Sequence, residues 1–286
     1  MKMNFFKNNL VRFVIYTYGL FVVLIFTFGG IAKFWLHGTP LAMNWVMAIT
    51  AWTSTFVLLL MFRKLFPNQT LRSFYKQLFK EKLNARLLVF TILIQIGIYI
   101  ASICLVSQQS RVSVLSFLDF SFPTIASGLF FAAIQGATGE ESAWRGYVLP
   151  AAFQKIGVVK GSLIVSLLWA FWHAPIWFLN TGLAGLDLFK YIIVFVICIT
   201  SLGFIIGISF HHCKNLLVPI LLHFTFNFLG ETYQGPWLDL VFWYAVFYFI
   251  VAIGFFLWHL KNTYQKKGED QDVKFIHSGE NGQKNL

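Results

Sequence analysis

The sequence predicts an all-α integral membrane protein, a bundle of about eight transmembrane helices with an interfacial amphipathic helix. Three features of the 286 residues support this fold class: 58% are hydrophobic, 19% are aromatic and only 12% are charged. The mean hydropathy of +0.70 is higher than a water-exposed surface tolerates. The apolar residues also occur in long runs, as a bilayer requires of the helices that span it.

Eight apolar runs approach the roughly 20 residues that a helix needs to cross the hydrocarbon core. The fourth is rich in small residues and the seventh is short, so these two are less typical of lipid-facing helices. The first is too long for the core of a signal peptide, and we expect it to remain as a span. The predicted spans are residues 11–32, 41–62, 87–107, 121–139, 161–179, 188–210, 215–230 and 238–260.

The distribution of Lys and Arg predicts how these helices are oriented. With the N-terminus inside, all of the 22 Lys and Arg residues except Lys33, Arg111 and Lys190 fall on the cytoplasmic side. Cytoplasmic loops of membrane proteins carry an excess of positive charge. The sequence therefore predicts a multi-pass protein with both termini in the cytoplasm, and its net charge of +11 indicates orientation rather than binding to nucleic acid.

Two segments outside the spans have a distinct character. Residues 65–84 place aromatic and basic side chains on different helical faces, which predicts an amphipathic helix on the inner leaflet. Residues 261–286 are polar and mixed in charge, which predicts a disordered cytoplasmic tail. The predicted regions are N-terminal spans one to three (1–110), a core of spans four to seven (111–235), the last span (236–260) and the tail (261–286).

The stretch ATGEESAWRGYV, residues 137–148, places two adjacent carboxylates at the end of an apolar segment. A charged side chain at the centre of a spanning helix costs about 2.5 to 3.5 kcal/mol on insertion scales, so a favourable contact must offset it. Glu141 and Arg145 are four residues apart on one helical face, and this spacing predicts a salt bridge. We expect that pair to be structural.

Glu140 lies on a different face and follows Gly128, Ala132 and Gly136 at intervals of four residues. Small residues at this spacing allow a neighbouring helix to approach closely, so we expect Glu140 to face the interior of the bundle. A buried carboxylate without a local partner is suited to act as a general base or as a metal ligand. The alternative is a carboxyl group that is merely hydrogen-bonded in the core.

Three further polar side chains lie in the predicted spans five and seven. His173 has a tryptophan one turn away on either side, and His223 shares a helical face with Asn227. Each could serve only to hydrogen-bond within or between helices. Together with Glu140 they supply a base, a polarising group and oxyanion donors, which is the minimum set for hydrolysis of an acyl bond by water.

These residues resemble the motifs of one family of intramembrane proteases, which comprises the type 2 CAAX prenyl proteases and bacteriocin-processing or bacteriocin-immunity proteins and is called the CPBP or Abi family. The first motif has two adjacent Glu, then three residues, then Arg, which is usually followed by Gly. The second has an aromatic residue, then three residues, then His. The third has His, then three residues, then Asn. Trp169 departs from the Phe that is commonest in the second motif. The matching positions are Glu140, Glu141, Trp144, Arg145, Gly146, Trp169, His173, His223 and Asn227.

The resemblance implies a role for the matched residues. Glu140 would activate a water molecule with help from His173, while His223 and Asn227 would stabilise the oxyanion. Members are commonly described as metalloproteases, so a zinc ion held by Glu140, His173 and His223 is one expectation. The sequence lacks the HExxH helix of zinc proteases, and a metal-free water activated by glutamate is the other. The implied site residues are catalytic Glu140, His173, His223 and Asn227, with Glu141 and Arg145 supporting.

The sequence therefore predicts an intramembrane endopeptidase that hydrolyses a peptide bond with a Glu-activated water in a cavity open to the cytoplasm. The resemblance implies CAAX-type or bacteriocin processing, with self-immunity as a related role, in a bacterial cell membrane. We expect membrane lipid and a peptide or protein substrate, C-terminal or membrane-anchored, as partners. The alternatives are a secondary transporter, which the lack of internal repeats disfavours, and a non-catalytic immunity or scaffold protein, which has no reason to bear four buried polar groups.

Overall fold

The computed structural model describes residues 8–179 and 181–282, with side chains described as far as residue 265. Every named element in this part of the chain is helical, apart from an isolated bridge between Leu118 and Tyr233. The helices are α1 (Asn9–Phe34), α2 (Pro40–Ala51), α3 (Thr53–Leu65), α4 (Leu71–Leu78), α5 (Ala85–Ser110), α6 (Phe122–Ala132), α7 (Glu141–Ala143), α8 (Leu149–Ile156), α9 (Val158–Trp172), α10 (Ala174–Leu179), α11 (Gly185–Cys213), α12 (Leu217–Glu231) and α13 (Trp237–Gly282). A 3₁₀ turn forms at Val114–Phe117, and π turns form at Ala133–Ala137 and Trp144–Val148.

Six stretches of helix are long and apolar enough to cross a membrane, and they confirm the predicted all-α membrane fold. The predicted count of eight is not confirmed. In the fourth predicted span the regular helix α6 has 11 residues and continues into the π turn at Ala133–Ala137, and in the seventh α12 has 15 residues. At 1.5 Å per residue α12 is about 22 Å long, which is less than the roughly 30 Å of the hydrocarbon core. Within the described residues, the six are Asn9–Phe34, Pro40–Leu65, Ala85–Ser110, Val158–Leu179, Gly185–Cys213 and Trp237–Gln265.

Helix α11 forms the centre of the bundle. All of its side chains from residue 198 to residue 210 are buried, because α9, α12 and α13 pack around it. A helix that is apolar on all faces is typical of such a central position. The helices that surround α11 include the two that carry the predicted histidines.

Small residues bring α9 and α11 into close contact. A Cβ atom added at Gly203 would lie 2.6 Å from Ser166 Oγ, and one added at Gly207 would lie 2.8 Å from Ser162 Oγ. Pairs of small residues four apart on both helices allow the backbones to approach, as is common between membrane helices. This contact fixes the position of α9, at whose C-terminal end His173 lies.

The segment between α6 and α8 is interrupted by two π turns, which flank the glutamate pair. Such widened turns recur at functional sites, where they shift side chains relative to a regular helix. Side chains from the α2–α3 junction donate to carbonyl groups of this segment: Trp52 Nε1 to Ile134 O, and Thr55 Oγ1 to Gly139 O, each at 2.7 Å. The irregular backbone is therefore held by a neighbouring helix pair inside the protein, as membrane depth requires.

Helix α4 is the predicted interfacial helix, but it covers Leu71–Leu78 rather than the whole of 65–84. Thr70 and Ser73 form a capping box that fixes its first turn, and a proline upstream of the cap disfavours an earlier start. Phe74 is 4% exposed and packs on the bundle, while the basic side chains of α4 are exposed. The amphipathic division that the sequence predicts is present over this shorter length.

Helix α13 continues beyond the last predicted span, as far as Gly282. Residues 261–282 are thus helical where the polar composition predicts disorder. The difference has a physical reason, because a helix that already exists at residue 260 adds further residues without a new nucleation step. Residues 283–286 of the predicted tail lie outside the described part of the chain.

The α9–α11 contact predicts that Gly207→Ala will destabilise the protein. The added methyl group would enter the space of Ser162, and overpacking of this kind costs about 1–3 kcal/mol. Thermal unfolding in detergent measures the effect. Gly254→Ala in α13 is the matched control, because a Cβ there meets nothing within 4 Å. Equal unfolding temperatures for the two variants would contradict the close packing of α9 on α11.

Candidate active site

All four predicted catalytic side chains line one cavity of about 510 Å³ inside the bundle. Glu140 comes from the interrupted segment between α6 and α8, and His173 from the C-terminal end of α9. His223 and Asn227 come from successive turns of α12. Three segments that are distant in sequence thus place their polar side chains around a shared space, where a peptide and a water molecule could meet.

Glu140 faces the interior of the bundle, as its position after the row of small residues predicts, and only 3% of its surface is exposed. The indole Nε1 of Trp169 donates a hydrogen bond to its Oε2. Its Oε1 has no hydrogen-bond partner among the described residues, and the side chain lines the cavity. One carboxylate oxygen is therefore held by the protein, and the other is able to accept a hydrogen bond from a ligand or water.

The predicted salt bridge between Glu141 and Arg145 is confirmed, and it has a third member. Arg145 Nη1 lies 2.9 Å from Glu141 Oε1, with both side chains buried. The same oxygen lies 2.7 Å from His223 Nδ1. Because a carboxylate only accepts, His223 carries a proton on Nδ1 and presents Nε2 as its remaining polar atom. The sequence predicts the ion pair from its local spacing, but not this contact across 82 positions.

His173 is held in one orientation by the backbone of its own helix. Its Nδ1 lies 2.7 Å from the carbonyl oxygen of Trp169, which can only accept, so Nδ1 carries the proton. The rings of Trp172 and Phe195 pack against the imidazole, with centroid distances of 5.0 and 5.6 Å. In the neutral ring Nε2 is then an unprotonated acceptor on the side of the imidazole away from this carbonyl.

Gly136 makes room for the α12 side chains. A Cβ at this position would lie 2.3 Å from His223 Nε2 and 3.0 Å from Asn227 Nδ2. Two turns earlier, a Cβ at Gly128 would lie 3.2 Å from the Cβ of Glu231. The close helix approach that the row of small residues predicts is therefore confirmed, and α12 is the helix that approaches.

Trp169 connects the groups of the site, which sequence reasoning did not anticipate. Besides donating to Glu140, its ring lies under the Arg145 guanidinium, whose Cζ is 4.1 Å from the ring centroid. Its centroid is also 5.0 Å from the ring of His223. The second motif indicated the hydrogen bond to Glu140, because Trp in place of Phe adds an indole N–H donor to the aromatic side chain.

The candidate ligands do not form a zinc site in this structure. Within residues 8–179 and 181–265, no group of three or more His, Cys, Asp or Glu side chains is arranged to hold a metal ion. The Nε2 atoms of His173 and His223 and the Oε1 of Glu140 have no hydrogen-bond partner among the described residues. The zinc ion therefore stays an expectation that rests on the resemblance.

The cavity extends towards one end of the bundle. Its lining includes Thr181, from the connection after α10, and Gln234 and Trp237, from the connection between α12 and α13. None of the described lining residues comes from the opposite end, which contains α4 and the α11–α12 turn. The sequence predicts a cavity that opens to the cytoplasm, and the side of the membrane on which it opens stays a prediction.

Comparison with known proteins supports the interpretation of this site. Residues 122–229 match the family model described as "Rce1-like: Type II CAAX prenyl endopeptidase Rce1-like". The predicted resemblance to CAAX prenyl proteases is confirmed. The chain is also 26% identical over 209 residues to "CAAX prenyl protease 2" of Methanococcus maripaludis, an alignment that covers 70% of this chain and 76% of that protein.

The matched region, residues 122–229, contains every residue of the three motifs. Together with the long apolar helices, the match supports a multi-pass membrane protein that is similar to proteases. The fold contributes the geometry that the family match alone does not give. Glu141 and Trp169 each form a hydrogen bond with a side chain that lines the cavity, His223 and Glu140 respectively.

The buried contacts of Glu141 predict that Glu141→Gln will strongly destabilise the protein. Gln keeps the size of the side chain but leaves the Arg145 charge without its counterion, and breaking a buried pair in this way costs about 3–5 kcal/mol. Chemical unfolding measures the change. The matched control is Asp187→Asn, which removes an exposed pair with Lys190 and is expected to cost less than about 1 kcal/mol. Similar losses in both variants would contradict the structural importance of Glu141.

Proposed function

We propose that this protein is an intramembrane endopeptidase in which Glu140 activates the attacking water molecule. The observation that carries the proposal is the shared cavity wall formed by Glu140, His173, His223 and Asn227. Both comparisons fall on proteases, which favours hydrolysis over transport. A scaffold without activity would gain nothing from four costly polar side chains around one cavity.

The proposed reaction begins with a water molecule bound to Oε1 of Glu140. The carboxylate takes a proton from this water while the oxygen attacks the carbonyl carbon of the scissile peptide bond. Nε2 of His173 accepts the second hydrogen bond of the water and orients it. When the tetrahedral intermediate collapses, the proton on Glu140 passes to the leaving amine, so that one peptide and one water give one acid and one amine.

We assign the oxyanion of that intermediate to α12. Asn227 Nδ2 supplies an N–H donor beside Gly136, and such preorganised donors contribute roughly 3–4 kcal/mol to catalysis. For His223 to donate as well, its ring must carry protons on both nitrogens. Glu141, which accepts from Nδ1, is placed to stabilise that charged ring while the oxyanion forms.

We propose a substrate that is associated with the membrane. The relative from Methanococcus maripaludis is described as a CAAX prenyl protease, and the cavity of this chain lies among helices that cross the membrane. A peptide held at the membrane by a lipid or an apolar segment would enter such a cavity at little cost, because its anchor remains in the bilayer.

Glu140→Gln is expected to abolish peptide cleavage and to leave the protein folded. The amide keeps the size of the side chain but cannot take a proton from water, and general base catalysis contributes typically 10²- to 10⁴-fold. Cleavage of a quenched fluorescent peptide by purified protein measures the loss, and thermal unfolding checks the fold. Glu81→Gln, an exposed carboxylate at the other end of the bundle, is the control. Normal hydrolysis by the Glu140→Gln variant would show that Glu140 is not the general base.

Because residues 8–179 and 181–265 contain no group of three such ligands, cleavage is expected to persist after treatment with a strong zinc chelator. The measurement compares initial rates before and after 1,10-phenanthroline, with its non-chelating isomer as control. Metal content of the purified active protein, determined by elemental analysis, should be well below one ion per chain. A loss of activity that added zinc restores would show that the ligands converge around a metal in the active state.

A further inference from the structure

Helix α4 packs against the segment that carries the glutamate pair. A Cβ atom added at Gly146 would lie 2.9 Å from Leu78 Cδ1 and 3.4 Å from Phe74 Cζ, so the two surfaces are in close contact. Gly146 directly follows Arg145, whose side chain forms the ion pair with Glu141. A shift of α4 would therefore act on the backbone that positions this pair, because closely packed side chains leave no space to absorb it.

The C-terminal end of α4 is also bound to the start of α12. Leu216 N donates a hydrogen bond to Leu78 O at 2.8 Å. Asn215 Nδ2 donates to Glu81 O, just after α4, at 2.6 Å. Leu216 is the N-cap of α12, and His223 lies about two turns further along this helix. Helix α4 thus contacts both of the segments that meet in the site.

The accessible side of α4 divides into an apolar stripe and a basic stripe. Successive residues of a helix are about 100° apart, so the apolar stripe lies next to the face that packs on the bundle and the basic stripe lies beyond it. Leu71 and Phe79, in the apolar stripe, are 40% and 43% exposed. The accessible set, here called the interfacial surface, consists of Leu71, Arg72, Lys76, Phe79 and Lys80.

Positive charge predominates around the interfacial surface. Between residues 63 and 86 the sequence has one carboxylate side chain, that of Glu81. The exposed Lys and Arg residues of this range are Arg63, Lys64, Arg72, Lys76, Lys80, Lys82 and Arg86. None of them has an ion-pair partner among the described residues. A surface with this uncompensated charge is complementary to an anionic partner.

The flanking helices place the interfacial surface at the edge of the membrane. Helix α4 lies between Pro40–Leu65 and Ala85–Ser110, two apolar stretches that are long enough to span. A short connection between spanning helices lies where the hydrocarbon core ends, which is the depth of the lipid headgroups. An apolar stripe beside a basic one is typical of helices that lie in the membrane plane at this depth.

We propose that the interfacial surface binds the headgroups of anionic phospholipids, and that this contact stabilises the arrangement of the proposed catalytic residues. A Lys or Arg side chain near an anionic bilayer strengthens the attraction by about fivefold. The exposed Leu71 and Phe79 side chains favour a lipid over soluble phosphate, because they can enter the acyl region below the headgroups. The binding part of the proposal is independent of the proposed function, whereas the catalytic part rests on it.

The bound lipid acts on the site through the two contacts of α4. A ligand shifts an equilibrium only as far as it binds one state better than another. The state that binds lipid is the one in which Leu78 lies against Gly146 and accepts a hydrogen bond from Leu216. In this state Glu141 Oε1 lies 2.7 Å from His223 Nδ1. Anionic lipid therefore favours this contact over states in which α4 is displaced.

Thermal unfolding of the purified full-length protein in a neutral detergent tests the binding. Phosphatidylglycerol should raise the unfolding temperature, because a ligand that binds the folded state stabilises it, and the same amount of phosphatidylcholine should not. In the triple variant Arg72→Gln, Lys76→Gln, Lys80→Gln, the half-maximal effect should require roughly 100-fold more phosphatidylglycerol, at about fivefold per residue. An equal response of the triple variant and the native protein would overturn the proposal.

The matched control is the triple variant Lys33→Gln, Arg111→Gln, Lys190→Gln, which removes the same formal charge from exposed positions outside the interfacial surface. It should respond to phosphatidylglycerol as the native protein does. The same loss of response in this control would show an effect of net charge and refute a defined surface. Inorganic phosphate and polyglutamate are the alternative anions. Stabilisation by either of them, without any by phosphatidylglycerol, would identify a soluble anion or an acidic protein as the partner and refute the lipid.

Leu78→Ala tests the connection between the interfacial surface and the site. It keeps every basic residue of α4 but removes the side chain that lies against Gly146. In proteoliposomes of the native protein, adding phosphatidylglycerol to phosphatidylcholine should raise kcat for an uncharged quenched fluorescent peptide by about fivefold or more, the lower end of couplings between sites. Leu78→Ala should still be stabilised by phosphatidylglycerol but should lose this rise in kcat. A rise that persists in Leu78→Ala would contradict the proposed connection.

The two measurements keep the lipid surface and the protease separable. Stabilisation by phosphatidylglycerol without cleavage in any lipid would leave the interfacial surface standing and refute the protease. Cleavage at equal rates in both lipids, without stabilisation by phosphatidylglycerol, would leave the protease standing and refute the surface. Stabilisation together with a kcat that does not depend on the lipid would support the binding and refute the catalytic part.

Discussion

The buried carboxylate of Glu141 is the constraint on which the site depends. One of its oxygens binds both Arg145 and His223, and the Arg145 guanidinium lies over Trp169, which in turn donates to Glu140. Three separate segments of the chain are joined by this series of contacts. Each partner is nearly inaccessible to solvent, so a change in one leaves a buried polar group in another without compensation.

The same arrangement explains how an apolar bundle tolerates these residues. The Nδ1 atoms of His173 and His223 are each satisfied by an acceptor inside the protein, and their Nε2 atoms remain for the cavity. Gly136, within the first π turn, leaves room for His223 and Asn227 of α12. The polar groups therefore face each other and the cavity instead of lipid, where each would cost several kcal/mol.

The asymmetry of the bundle adds a second constraint, which acts at the level of the whole molecule. Basic side chains are concentrated around α4 and the neighbouring turns, while the cavity occupies the half of the bundle that lies away from them. Positive charge at one end determines how the protein sits in the bilayer. The fold then places the proposed catalytic groups in the half of the bundle that lies away from α4.

The sequence by itself determined the all-α membrane fold, the Glu141–Arg145 pair and the close approach along the row that ends at Gly136. These features depend on composition and on spacings of four residues, which a helix converts directly into neighbours. Only the tertiary structure decided that His223 binds Glu141, that Trp169 donates to Glu140, that α12 is short and that no lining residue of the cavity comes from α4 or the α11–α12 turn. These features join side chains 29 to 82 positions apart or depend on where helices begin and end in the bundle. They are set by packing between helices, which no local periodicity encodes.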